Sequence, residues 1–260
     1  MCGILGYSAA TRPSKDFMDR FTRLFELSEA RGTHASGMAW EARNGMGLLK
    51  LPVRASGFVQ LARYRDFEKE APLEVVAHTR WASQGDPAKP FNNHPHLGLN
   101  LRLAVVHNGH ISNWKELAFE RGFRMQGTCD SEVIARLVER GLQGRQDLLE
   151  AVRRAGRAVF GGATFAAYLV GKQTVVYRWH NPLSWAKVGD SVVFSSDGDH
   201  IKEAFGVKAT PVWDGQAITI RRGQVDVHVL QEPKRMKEPD RPGWYRDPSG
   251  RIQVIGWEER

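Results

Sequence analysis

Short turns join most of the strand-like segments of this sequence, and this feature limits the possible folds more than any other. The segments ASGMAWEA and GMGLLKLPV flank Asn44-Gly45, a dipeptide typical of two-residue hairpin turns. Glycine-containing turns also interrupt the strand-like runs of residues 163–180 and 216–230. Hairpins produce antiparallel sheets, whereas a doubly wound parallel sheet needs a crossover between successive strands. The sequence therefore predicts an α+β fold with antiparallel sheets.

Helical periodicity marks the segments between these strands. Phe17, Phe21 and Leu24 lie at helical spacing, with Ser14 as a predicted N-cap and Gly32 as a predicted stop. Further helices are predicted within residues 58–67, 114–122, 130–144 and 145–159. From residue 231 the sequence becomes charged and rich in proline. We therefore expect one domain over residues 2–230 and a charged, proline-rich C-terminal tail over residues 231–260.

Composition excludes several classes of protein. The chain has 260 residues, of which 42% are hydrophobic, enough to bury a substantial core. It has no apolar run of about 20 residues and no secretory leader, so we expect no membrane association. Two cysteines do not make a disulfide framework, which favours a reducing cytoplasm. The net charge of +8 comes from scattered basic residues, so we do not expect nucleic-acid binding.

One of the two cysteines, Cys2, directly follows the initiator methionine. Removal of Met1 would leave a thiol and a free α-amine on the same residue, which is a nucleophile carrying its own base. The alternative is an accident of position, because chain ends tolerate most residues.

Three polar clusters lie at the ends of regular elements. HTRWASQG and VVHNGHISN end strand-like runs, and TCDSEVIA has Asp130 immediately before a predicted helix. Functional groups often occupy such positions. Each cluster also has an ordinary explanation: Arg80 as a surface residue, Asn108-Gly109 as a turn, and Asp130 as a helix N-cap. Taken one at a time, the ordinary explanations are favoured.

Together the motifs are more specific. The segments MCGILGY, EARGTHASGMA, VVAHTRWASQGDP, NNHPH, LAVVHNGHISNWKEL, TCDSEVIARLV and VVFSSD occur in this order. The chain thereby resembles the class II glutamine amidotransferases, a family of N-terminal nucleophile hydrolases, and within it the glutaminase domain of glucosamine-6-phosphate synthases. The resemblance covers about residues 2–230. It implies a four-layer αββα sandwich in which two antiparallel sheets lie between helical layers.

The resemblance also implies a mechanism that the residue types can support. Cys2 would attack the side-chain amide of L-glutamine and form a thioester, with its own amine as the base. The Asn108 side chain and the Gly109 N–H would stabilise the oxyanion. Arg80 would bind the α-carboxylate of glutamine and Asp130 its α-ammonium.

Other residues match the family motifs in supporting roles around the substrate. Arg31 would help to fix the N-terminus, while Trp81 and Ser83 would belong to a loop that closes over bound glutamine. Gln84 departs from the family pattern, which has histidine there, and this weakens the expected coupling to an acceptor site.

The substrate is therefore expected to be L-glutamine, and the products glutamate and ammonia. The roughly thirty residues after the glutaminase-like region are too few for an isomerase domain, so we expect a separate ammonia-accepting synthase subunit. The alternative is a stand-alone γ-glutamyl amide or peptide hydrolase. A non-catalytic binding module is a further, less favoured alternative.

No cofactor and no metal are expected. His94 and His96 lack a convincing third ligand in the sequence and are interpreted as structural. Cys129 is interpreted as a small buried residue or a neighbour of the glutamine pocket. Trp244 and Trp257 of the tail are expected to pack on the domain or on a partner.

Overall fold

The computed structural model describes residues 1–144, 147–231, 244–246 and 252–254. Seven α-helices occur in these residues: α1 Lys15–Leu27, α2 Ala55–Phe58, α3 Ala62–Glu70, α4 Trp114–Glu120, α5 Glu132–Gln143, α6 Leu148–Ala158 and α7 Gly198–Phe205. Short 3-10 helices lie at Ser28–Arg31 and Pro90–Asn92.

Fifteen strands occur in the same residues. They are β1 Gly3–Ala9, β2 Ala35–Ala42, β3 Gly45–Leu51, β4 Glu74–Arg80, β5 His96–Gly98, β6 Leu103–Ile111, β7 Gly161–Leu169, β8 Gln173–Tyr177, β9 Ser184–Val188, β10 Ser191–Ser195, β11 Thr210–Pro211, β12 Gln216–Arg221, β13 Gln224–Val229, β14 Trp244–Arg246 and β15 Ile252–Val254.

Thirteen of these strands form two large antiparallel sheets. The first has the order β11-β9-β10-β1-β4-β2-β3, and the second has the order β13-β12-β8-β7-β6-β5. The predicted hairpin is confirmed, since β2 pairs with β3 from Ser36↔Leu51 to Ala42↔Gly45. Cys2 directly precedes β1, the middle strand of the first sheet.

Three apolar clusters fill the spaces between four layers. One cluster joins the first sheet to α1, α2, α3 and α7, through residues such as Phe21 and Phe67. A second joins the other sheet to α4, α5 and α6. The third lies between the sheets and includes Ile4, Val76 and Val106. Because each sheet buries both faces, the architecture is the expected αββα sandwich.

The predicted helices differ from the observed ones in detail. Ser14 caps α1 by accepting a hydrogen bond from the Phe17 N–H, as predicted, but the chain continues after Leu27 as a 3-10 turn before Gly32. The helix predicted within residues 58–67 is wrong as a single element, because residues 59–61 separate α2 from α3. Helix α7 and the strands β5, β9 and β11 were not predicted.

The predicted tail, residues 231–260, lies largely outside the described residues. Within it, β14 and β15 pair antiparallel with each other. The packing expected for Trp244 and Trp257 concerns side chains outside the described part of the chain. Every helix in the described part is too short or too polar to cross a lipid bilayer.

Candidate active site

Strand alternation directs three of the expected site residues into the space between the sheets. Strands β1, β4 and β6 each send every second side chain into the apolar layer between the sheets. At one end of the sandwich, the same alternation places Cys2, Arg80 and Asn108 on the side of their strands that faces this layer. A hydrogen bond of 2.9 Å between His78 Nε2 and the His107 carbonyl joins β4 to β6 immediately beside them.

The Cys2 thiol is half-buried against the start of the loop that follows β4. Its Sγ lies 3.4 Å from the Trp81 N–H and 3.5 Å from the Trp81 carbonyl oxygen. Arg31 Nε donates a hydrogen bond of 3.0 Å to the Cys2 carbonyl and so holds the N-terminal backbone. Burial raises the pKa of the Cys2 thiol to about 11, although the Trp81 N–H and the positive N-terminus partly oppose this.

Asn108 and Gly109 lie within β6 and not in a turn, so the ordinary explanation of this dipeptide is wrong. Within the described residues, the buried Asn108 Nδ2 has no hydrogen-bond partner. Gly109 has φ +154°, and a Cβ there would lie 1.9 Å from the Gly162 carbonyl oxygen. Only glycine therefore fits beside Asn108. The Asn108 carbonyl accepts a hydrogen bond of 3.0 Å from Asn181 Nδ2.

Arg80 is buried, with 2% of its surface exposed, which excludes the explanation of a surface residue. Its Nη1 donates to Asn93 Oδ1 at 2.7 Å. Its Nη2 donates to the carbonyl oxygens of Gln84 and Gly85. No carboxylate of the described residues pairs with it within 4.0 Å. A buried cation held only by neutral acceptors is suited to bind an anion.

Asp130 is not the helix cap that its sequence position suggested. Ser131 is the N-cap residue of α5, whereas Asp130 Oδ2 accepts a hydrogen bond of 2.7 Å from the Ile111 N–H at the end of β6. His110 Nδ1 lies 3.5 Å from the same oxygen. Asp130 is thus a buried carboxylate bound to the strand that carries Asn108.

Cys129 connects Arg80 with Asp130. Its Sγ lies 4.0 Å from Arg80 Nη2 and 3.8 Å from Asp130 Oδ1. The structure therefore brings a buried cation and a buried carboxylate within 4.0 Å of one thiol. Such a pair can bind a ligand that carries both an anionic and a cationic group.

The loop after β4 covers this region only in part. Trp81 is 52% exposed and stacks on His34, with ring centroids 4.8 Å apart. His34 Nδ1 also accepts a hydrogen bond of 2.9 Å from the Ala82 N–H. Ser83 is exposed. Gln84 contacts Arg80 through its backbone carbonyl, so the departure from histidine does not affect this contact.

Sequence reasoning missed three residues that hold the site together. They are His34, which supports the Trp81 loop, Asn93, which binds Arg80, and Asn181, which binds the Asn108 backbone. His34 and Asn93 lie in two of the quoted motifs, RGTHASG and NNHPH, and polar residues inside those motifs were the available signal. Asn181 follows β8 and carries no such signal.

Comparison with known proteins finds sequence relatives that align with nearly the whole chain. The chain is 31% identical over 251 residues to a glutamine–fructose-6-phosphate aminotransferase (isomerizing) from Thermus thermophilus, covering 94% of this chain and 39% of the relative. It is 30% identical over 272 residues to the protein of that name from Thermotoga maritima, covering 100% of this chain and 40% of the relative. The chain thus spans about two fifths of the length of these relatives. No protein-family model matches it.

Solved structures share the fold at lower identity. A glutamine phosphoribosylpyrophosphate amidotransferase from B. subtilis superposes with a TM-score of 0.71 at 19% identity, covering 89% of this chain and 50% of that chain. A glutamine aminotransferase class-II domain protein from Silicibacter pomeroyi superposes with a TM-score of 0.52 at 17% identity, covering 89% of this chain and all of that one. With the sequence relatives and the two-sheet architecture, these findings lead to one conclusion: the chain belongs to the class II glutamine amidotransferases, within the N-terminal nucleophile hydrolases.

Proposed function

We propose that this protein hydrolyses the side-chain amide of L-glutamine to glutamate and ammonia through a thioester on Cys2. The observation that carries the proposal is the buried Asn108 Nδ2, a donor without a partner among the described residues, at the end of the sandwich where Cys2 precedes β1. Leaving a buried donor without an acceptor costs free energy. This cost is explained if the reaction itself creates the acceptor, as an oxyanion does.

The nucleophile needs a base close to the thiol. Burial raises the pKa of the Cys2 thiol to about 11, so the thiol is protonated at pH 7. The α-amine of Cys2, once Met1 is removed, has a typical pKa of about 7.7–8.0 and can accept the thiol proton. Met1 is 68% exposed, so a processing enzyme can reach it. The same amine would then protonate the departing ammonia.

The oxyanion of the tetrahedral intermediate would accept hydrogen bonds from Asn108 Nδ2 and the Gly109 N–H. Both donors belong to the rigid strand β6, which is paired with β7 along its whole length. Donors that are already oriented need no rearrangement when charge develops, and this makes them effective.

Recognition of glutamine would use its two backbone charges. The α-carboxylate would bind the Arg80 guanidinium and replace the carbonyl oxygens of Gln84 and Gly85. That replacement would release the backbone of the loop, and Trp81 and Ser83 could then close over the substrate. Asp130 would bind the α-ammonium, while its Oδ2 stays bound to the Ile111 N–H.

The ammonia would be used by an acceptor subunit. Support comes from the sequence relatives, which are aminotransferases that extend well beyond the part matched by this chain. Capture of proteins that bind the tagged chain, followed by a test of glutamine-dependent amination in the mixture, would identify the acceptor.

Glutamate release by purified protein lacking Met1 tests the hydrolysis itself. We expect turnover of glutamine, loss of turnover in Cys2→Ala, and labelling of Cys2 but not Cys129 by a glutamine-like diazoketone. Full turnover in Cys2→Ala would refute the mechanism.

Equal kcat/KM for glutamine and N-acetylglutamine would refute the role of Asp130. Faster cleavage of a γ-glutamyl dipeptide than of glutamine would indicate a peptide hydrolase instead.

A further inference from the structure

A cluster of three metal-ligating side chains lies behind the candidate site. His94, His96 and Cys129 are each at most 3% exposed. One ligand atom from each of them lies within 4.8 Å of the others. His94 and His96 belong to the segment between β4 and β6, whereas Cys129 directly precedes Asp130 before α5.

The two imidazoles are unusual because their nitrogens are buried without partners. Within the described residues, both ring nitrogens of His94 and Nε2 of His96 make no hydrogen bond. Burial of an unpaired polar atom costs about 1–3 kcal/mol, so a native structure seldom keeps three of them together. A bound cation would satisfy ring nitrogens from both histidines.

We propose that His94, His96 and Cys129 form a binding site for Zn²⁺, with a fourth position open to water or another ligand. Two imidazoles and a thiolate are a donor set that zinc prefers. With Zn–N of about 2.1 Å and Zn–S of about 2.3 Å, tetrahedral ligands lie about 3.4–3.6 Å apart. The cluster needs to contract by about 1 Å from its present 4.8 Å, which side-chain rotation can supply.

The protonation of the cluster is compatible with binding a metal. Burial lowers the pKa of His94 and of His96 well below the ordinary value, so both rings are neutral at pH 7. Burial and the neighbouring carboxylate of Asp130 raise the pKa of the Cys129 thiol, and Arg80 Nη2 at 4.0 Å opposes them only in part, so the thiol would release its proton to solvent only when it binds the metal.

The backbone around the histidines is held in place before any metal binds. Lys50 Nζ donates hydrogen bonds of 3.0 Å to the Asn93 carbonyl and 3.1 Å to the Pro95 carbonyl. These contacts fix the segment that carries both histidines, so the ordering of this loop would add little to the cost of binding.

The position of the site predicts a consequence for substrate binding, which rests on the proposed function. Asn93, next to His94, binds Arg80, and Asp130 follows Cys129. Metal binding would therefore act on the residues assigned to both ends of glutamine.

The test uses full-length protein freed of metal by a chelator and titrated with Zn²⁺ in competition with a chromophoric chelator. We expect one Zn²⁺ per chain and a higher Tm on loading. Cys129→Ser is expected to weaken binding at least about 100-fold, since loss of a direct ligand should exceed the effect of losing an outer hydrogen bond. Cys2→Ala and His180→Asn, which changes an exposed histidine outside the cluster, are matched controls that should bind like the unmodified protein.

Cobalt provides a second measurement that identifies the thiol. Co²⁺-loaded protein should show a thiolate charge-transfer band that persists in Cys2→Ala and is absent in Cys129→Ser. Failure of the folded, unmodified protein to bind Zn²⁺, or loss of the band in Cys2→Ala, would overturn the proposal. No glutamine enters these measurements, and hydrolysis can be assayed on metal-free protein, so either proposal can fail without the other.

Discussion

Replacement of Asn108 by alanine removes Nδ2, a buried donor that makes no hydrogen bond in the described part of the free protein. If Asn108 Nδ2 stabilises the oxyanion, the substitution raises the free energy of the transition state and leaves that of bound glutamine unchanged. Removing one such donor typically costs about 3–4 kcal/mol, which is a factor of about 10²–10³ in kcat. Because the ground state loses no contact to glutamine, KM should stay within about threefold of its original value.

The expected effect on folding is small and follows from the same observation. Alanine removes the desolvation penalty of the unpaired donor, about 1–3 kcal/mol, while the lost packing of a buried side chain costs a similar amount. The two contributions oppose each other, so the free energy of unfolding should change little.

Asn113 offers a matched control, because it is also buried but both of its side-chain polar atoms are hydrogen-bonded. Its Nδ2 donates to the Ala158 carbonyl at 3.0 Å, and its Oδ1 accepts from the Phe160 N–H at 2.9 Å. Asn113→Ala should therefore lower the free energy of unfolding by about 1–3 kcal/mol and leave kcat unchanged. Steady-state glutamate release and denaturant titration would be measured for both variants. The reasoning is refuted if Asn108→Ala keeps its kcat within about threefold, or if it loses as much stability as Asn113→Ala.

Other substitutions test neighbouring steps. Arg80→Lys should raise the KM for glutamine at least about 100-fold with little change in kcat, because an ammonium cannot bind a carboxylate as a fork; an unchanged KM would contradict this. Protein that retains Met1, recognised by its mass, should not hydrolyse glutamine, and activity in such a sample would contradict the role of the Cys2 amine. Burial raises the pKa of Glu74 from 4.5 to about 7, so the folded state keeps a proton that the unfolded chain releases. The stabilisation of the folded state by this proton is complete below pH 4.5 and is lost as pH rises through 7. The free energy of unfolding should therefore fall by about 3 kcal/mol by pH 8. Denaturant titrations across this range should show that fall in the original protein but not in Glu74→Gln; identical pH profiles would contradict it.

The sequence determined the antiparallel sheets and the identity of the candidate site. Hairpin signals such as Asn44-Gly45 depend on local backbone preferences, so they could be interpreted without a structure. Strand alternation likewise directs Cys2, Arg80 and Asn108 to one side of their strands, and this follows from the period of two. Family motifs selected the same residues by a separate route.

Local signals failed where a contact depends on distant segments. The carboxylate of Asp130 had the sequence position of a helix cap, yet it binds the end of β6. The guanidinium of Arg80 binds Asn93 and the carbonyls of the loop that follows it, and neither contact has a periodic signature.

Only the tertiary structure decided that a third metal-ligating group lies beside His94 and His96. Cys129 is 33 residues beyond His96 in the chain, and α4 lies between them. The position of its thiol beside the two imidazoles depends on how α5 packs on the second sheet and on the path of the segment before β5. Hydrophobic periodicity predicts which face of a helix or strand is buried, but the side chains that meet at the edge of a sandwich are set by the packing of whole layers.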